Sequence, residues 1–335
     1  MERLELLIVQ LEEAKRMIVV DRVPQLRVAF ILLDSAAEMI LHRTSESLLT
    51  YQPMQAELLE RWRSIEKSEG STESLRREIE SLEERVLSRK SLREIERNFD
   101  AKVSFLVSQN SLPIEIGPVL QKLHQYRNET YHRDKLRREF IRPAVLIYFD
   151  TVCSMLDHYD QFMVGYSSNT ELGPEIRKYL GDSPTSIFRK DRYTVVAAQL
   201  RESAGLSVES MGPTLASHLM ERLNTLKANL AVVEEFLENV PGISSSDILR
   251  IVQADLRSNP SLGDLRSRKY KYSSCDLTRW RSEAAALESM DEKYSMFTAY
   301  ANIENEFEPL EEKVKSAVMD IDHHIQFQID EARGK

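Results

Sequence analysis

Apolar residues return every three or four positions along nearly the whole chain, and few stretches alternate with a period of two. Leu26, Phe30, Leu33, Ala37 and Ile40 step by three and four, which places them on one face of a buried helix. An earlier helix over 2–19 should end before Asp21 and Pro24. From Leu75 the series Leu75, Ile79, Leu82, Val86 keeps heptad spacing and then breaks at "SRKS", residues 88–91. It resumes as Leu92, Ile95, Phe99 in a shifted register, so an interrupted helix folding back as a hairpin is expected, not an extended coiled coil. Ser91 and Glu94 have the spacing of a capping box at the restart.

"SLPIEIGP" (111–118) reads as a connector, with Pro118 as first residue of a helix carrying Leu120, Leu123 and Tyr126. Pro143 is expected to open the next helix, "PAVLIYFDTVCSMLDHYDQF". The polar, turn-rich stretch 164–175 is the domain boundary. Helices follow at about 192–204, 207–240, 245–257, 277–300 and 302–333. The last repeats Ile303, Phe307, Leu310, Val314, Ala317, Ile321. The fold class is all-α, with one helical domain over 1–163 that carries a hairpin insertion at about 55–110. A second helical domain of unassigned role covers 166–335. A length of 335 residues agrees with two domains.

Charge narrows the partners. A net charge of −9 argues against coating a nucleic acid with the whole surface, so contact with a polyanion needs a local basic patch. Residues 121–142 supply one: Lys122, Arg127, Arg133, Lys135, Arg137, Arg138 and Arg142 stand against Glu129, Asp134 and Glu139. Two cysteines, Cys153 and Cys275, offer no disulfide framework and fit a reducing compartment. "MERLELLIVQLEEAKR" lacks the pattern of a signal peptide. The most apolar stretch, "VAFILLDSAAEMIL", is too short to span a bilayer and carries Asp34 and Glu38. A cytoplasmic protein with no membrane partner is the expectation.

The chemistry-bearing stretch is "YRNETYHRD", residues 126–134. On a helix, residues four apart differ by about 40° around the axis, so Asn128 and His132 share a stripe with His124. Arg127 is five residues from His132 and points toward the flank shared with Tyr131. One helix can hardly aim both groups at one phosphate, but two such helices crossing at a two-fold axis could. Histidine can take a proton from a 2′-hydroxyl or give one to a leaving oxygen. Arginine forks onto phosphate oxygens and stabilises the charge of the transition state. RNA brings its own nucleophile, so no metal-activated water is required. The competing reading is a charged, solvated helix turn.

"LHQYRNETYH", followed by a charged loop and a new apolar helix, resembles the signature of HEPN domains. In that family an Arg-x(4–6)-His motif, with a polar residue after the arginine, ends one helix of a small bundle. The order of an early "LRVAFILLDSAAEMIL" helix, a variable insertion, the motif helix and an apolar closing helix is similar too, over roughly residues 1–160. The resemblance implies a metal-independent endoribonuclease, active as a homodimer with a composite site, in phage defence or a toxin–antitoxin pair. Its partners would be RNA, tRNA among the candidates, and a protein antitoxin or activator; no cofactor is implied. Arg127, Asn128 and His132 match the motif arginine, its polar follower and the motif histidine. Lys122, His124, Tyr131 and Arg133 are candidates for holding RNA, and Glu38 for bracing Arg127. Family toxins silenced by a nucleotidyltransferase carry a tyrosine two after the histidine, where this chain has Asp134. The alternatives are a non-catalytic HEPN-like module that binds RNA, a nucleotide or a protein, and a purely structural helical protein.

Other clusters carry less. Asp320, Asp322, His323, His324 and Asp330 suggest metal ligands on the final helix, but a third ligand on the face of Asp320 and His324 is missing. "LRESAGLSVESM" (200–211) is better read as a Gly205–Ser207 helix stop and start than as a helix-turn-helix. No Gly-rich phosphate loop, Gly-x-Ser-x-Gly or His-Glu-x-x-His is present.

Overall fold

The computed structural model describes residues 2–70, 72–132, 138–159, 173–182, 191–204, 211–254 and 261–334, less the side chains of 2, 3, 69, 132, 138 and 139. Among these residues every regular element is helical and there is no strand, so the protein is all-α. No described helix is long and apolar enough to cross a membrane. The chain divides into two compact units, residues 1–207 and 208–335.

The first unit is built around α2 (Val23–Leu49), which packs against α1 (Glu2–Val20), α6 (Phe99–Ser108), α7 (Ile116–His132) and α8 (Arg138–Asp157). Asp21, at φ 53°, makes the left-handed turn between α1 and α2, and Pro24 lies in the first turn of α2. All five residues of the expected stripe in α2 are buried. α8 is the most enclosed helix: Phe140, Ile141 and all of Ala144 to Met155 except Ser154 are at most 5 % exposed. Its apolar run is therefore continuous and not striped, as a helix covered on several sides requires. It meets α2 through an edge-to-face pair of Phe30 and Tyr148, ring centres 5.5 Å apart, and α7 through Tyr126 and Phe140 at 5.2 Å. Pro143 does not open α8 but sits in its second turn.

A hairpin does form in this region, but one step earlier than the fold-back expected at 88–91: α3 (Gln52–Glu69) pairs with α4 (Glu73–Arg85), with a small core of Leu59, Ile79 and Leu82 over which Leu58, Trp62, Leu75 and Val86 close. The change of register at 88–91 marks the start of α5 (Arg89–Arg97). Its cap is Ser88, whose Oγ accepts from the Ser91 backbone N–H at 3.1 Å, three residues before the capping box read from sequence. Asn98 ends α5 and caps α6, turning the chain sharply between them.

The first unit runs past the stretch read as its boundary, most of which lies outside the described residues. α9 (Pro174–Leu180) packs on α1, and α10 (Arg192–Ala204) packs on α1, α8 and α9. Arg201 of α10 explains the attachment: its guanidinium meets Asp150 at 3.2 Å, Asp157 at 2.9 Å and the Ser154 hydroxyl at 2.6 Å, all on α8. Polar positions on an otherwise apolar α8 were thus reserved for a later helix.

In the second unit α11 (Met211–Leu237) packs along α14 (Ser274–Ala286) and α15 (Lys293–Ala332), with α12 (Ser245–Gln253) and α13 (Leu262–Ser267) beside them. The break expected at 300–302 is absent: α15 runs through it, and the chain instead turns at a 3₁₀ segment, Leu287–Ser289. Residues 205–210, where the helix stop and start was read, lie outside the described residues; α11 beyond them is one unbroken helix. Trp280, an expected anchor, is buried against Tyr272 and Phe307.

Candidate active site

α7 delivers the motif. Val119, Leu120, Leu123 and Tyr126 bury one side of it, and Arg27 of α2 donates to the Thr130 carbonyl at 3.1 Å, tying down its last turn. Arg127 sits on the flank of the buried stripe, one residue past Tyr126, and His132 is the last residue of the helix.

Arg127 and His124 converge on one carboxylate. Asp34, fully buried on α2, lies 2.8 Å from His124 Nδ1 and 2.9 Å from Arg127 Nε, and its Oδ1 accepts from the Tyr148 hydroxyl of α8 at 2.7 Å. The Arg127 contact is a close ion pair whose N–H does not point along the line to Oδ2; neither atom has a geometrically sound hydrogen bond. Burial, and then the neighbouring Asp34 charge, push the Tyr148 hydroxyl well above its ordinary pKa, so it stays protonated and donates. Arg127 NH1 donates to the Asn128 side-chain oxygen at 2.9 Å, and its guanidinium stands 6.0 Å from the Tyr131 ring. The His124 ring is stacked on Phe99 of α6, centroids 3.9 Å apart and nearly parallel.

Two readings of the helical wheel change here. His124 and Arg127, three residues apart, reach the same carboxylate, although the four-residue stripe set Arg127 on a separate flank. The brace of Arg127 is Asp34 and not Glu38; the Glu38 carboxylate is half exposed and 3.9 Å from His124 Nδ1. Lys122 is buried, with its ammonium over the Tyr126 ring at 4.7 Å, so it does not present its charge to a ligand. Arg142 pairs with Asp21 at 2.7 Å, which together with the burial of Lys122 dissolves part of the basic run; Glu129, on the acidic side of that run, is buried as well. Tyr131 is exposed. The side chain of His132, and all of Arg133, Asp134, Lys135 and Arg137, lie outside the described residues.

Asp34, Glu38 and His124 are also the one group of three acid or imidazole ligands that comes within 4.8 Å among the described residues. Both Asp34 oxygens already face donors, a guanidinium and a phenol, so a dication there would meet a positive charge at contact distance. The acid and imidazole residues of α15 form no such group; His124-like convergence is missing, and His324 Nε2 instead meets the Gln328 amide at 3.0 Å.

The hub, Asp34, was legible as a carboxylate on the apolar face of α2, three before Ala37 and four after Phe30, where a solvated acid has no place. Tyr148 had no comparable signal inside the uninterrupted apolar run of α8. No protein-family profile, no curated protein and no solved structure matches this chain.

Proposed function

We propose that the first unit is a metal-independent endoribonuclease of HEPN type, cutting RNA by attack of the 2′-hydroxyl on the adjacent phosphate. One observation carries the reading: Arg127, in the turn of α7 that leads to His132, has its Nε against buried Asp34 and one NH1 hydrogen on Asn128. Its remaining N–H donors have no partner among the described residues, and its side chain is 23 % exposed. A guanidinium clamped on one edge and open on the other is suited to hold a phosphate with little loss of side-chain freedom. His132 supplies the acid or base, Arg127 stabilises the charge gathering on the phosphate, and Asn128 fixes the guanidinium plane. A second copy completes the site across a two-fold axis, and a defence or toxin–antitoxin setting follows from the family resemblance.

The deep burial of Asp34 and Tyr148 favours a second reading, in which the cluster is an ionic lock joining α2, α7 and α8 in a non-catalytic RNA-binding or protein-interaction module. Purified wild type, Arg127→Ala and His132→Ala incubated with tRNA and single-stranded RNA in EDTA separate the two. The catalytic reading expects 2′,3′-cyclic phosphate and 5′-hydroxyl ends from wild type, loss of about 10²–10⁴ in rate in either variant, and intact all-deoxy strands. Equal cleavage by all three proteins, or cleavage of DNA, refutes it.

A further inference from the structure

A cleft of about 470 Å³ opens between α2, the α5–α6 corner and α7. It is within the size range of small-ligand sites. Its walls include His42, Arg97, Phe99, Lys102, His124 and Glu38. Arg97 and Lys102 form no ion pair with any described residue, and Glu38 is the one carboxylate on the wall. Arg97 and Lys102 against Glu38 leave a formal charge of +1 on this wall, in a chain of net charge −9. Asp34 lies behind His124 and is offset by Arg127.

His124 is held like a part of a receptor. Its Nδ1 is taken by Asp34 and its ring face by Phe99, and the ring retains 17 % exposure at the cleft. With the proton on Nδ1, the nitrogen left for a ligand is Nε2, in an orientation set by three helices. We propose that this cleft binds a phosphoryl group of a nucleotide or of an RNA strand, with Arg97 and Lys102 supplying the charge and the His124 Nε2 lone pair accepting from a ribose hydroxyl. The proposal stands whether or not the chain cuts RNA, because it concerns equilibrium binding at residues other than Arg127 and His132.

Two cations on a concave wall match phosphate oxygens, which accept several charge-assisted hydrogen bonds at once. The groups around His124 are Asp34, Glu38 and His42 from α2, Arg97 and Lys102 from the α5–α6 corner, Tyr148 from α8 and Arg127 on its own helix.

The test is calorimetric titration of the full chain with AMP and, separately, with a uridine dinucleotide methylated at the 2′-oxygen so that it cannot be cut. At least one should bind more tightly than about 1 mM, more weakly in added salt, and about tenfold more weakly with Arg97→Ala or Lys102→Ala. AMP alone binding assigns the site to a terminal phosphate; the dinucleotide assigns it to a strand. Absence of binding by both probes overturns the proposal. So does binding that neither substitution alters, or high-affinity uptake of Mn²⁺ dependent on Glu38 and His124 with no phosphate binding.

Discussion

Asp34→Ala removes the carboxylate on which three helices converge. It strands the Arg127 guanidinium, 23 % exposed, and the fully enclosed Tyr148 hydroxyl, and frees His124 Nδ1. Taking one partner from a buried ion pair costs about 3–5 kcal/mol. The hydroxyl-to-carboxylate bond of Tyr148 alone is worth about 1.5–3 kcal/mol. These overlap, since both run through the same oxygen atoms, so about 4 kcal/mol is expected for Asp34→Ala and about 2 for Tyr148→Phe. In a unit of this size that lowers the melting temperature by on the order of 10 °C and 5 °C respectively. Scanning calorimetry or urea unfolding of both variants measures this directly. A double replacement, Asp34→Leu with Arg127→Met, should regain much of the lost stability, because an apolar pair of similar volume needs no partners. If that double variant is stable but no longer cuts RNA, the cluster is kept for chemistry. A shift below about 2 °C for Asp34→Ala would refute the account of Asp34 as a buried, partnered charge.

Two further outcomes test the packing of each unit. Burial raises the pKa of Glu12, but bonds from Lys15, Lys178 and Tyr179 outweigh it and hold the carboxyl at about 2. A depressed carboxyl contributes stability above its unfolded pKa of about 4.3 and loses it as pH falls toward 2; urea midpoints for Glu12→Gln should therefore lie below wild type at pH 7 and approach it near pH 2. In the second unit Arg222 spans fully buried Glu304 and Glu311, and Arg222→Met leaves Glu304 uncompensated, so loss of about 3–5 kcal/mol in urea unfolding is expected. Glu304→Gln in that background should recover part of it.

The all-α class and most helices follow from spacing alone, because a period near 3.6 is a local property that any later packing must respect. α1, α2, α10 and the final stripe at Ile303 to Ile321 could be placed within a few residues. Where two helices compete for one stretch, spacing carries no information: it put a break at 300–302, and the chain broke at 287–292. Capping decided this, with Glu292 accepting from the Tyr294 and Ser295 backbone N–H groups at the start of α15. The site divides in the same way. The sequence by itself marked Arg127, Asn128, His132 and the helix that carries them. Only the tertiary structure chose Asp34 over Glu38 as the brace, buried Lys122, and drew His42, Arg97, Phe99 and Lys102 around His124. Those choices depend on which faces of α2, α6, α7 and α8 meet, and such meetings are set by packing between residues as far apart as Asp34 and Tyr148.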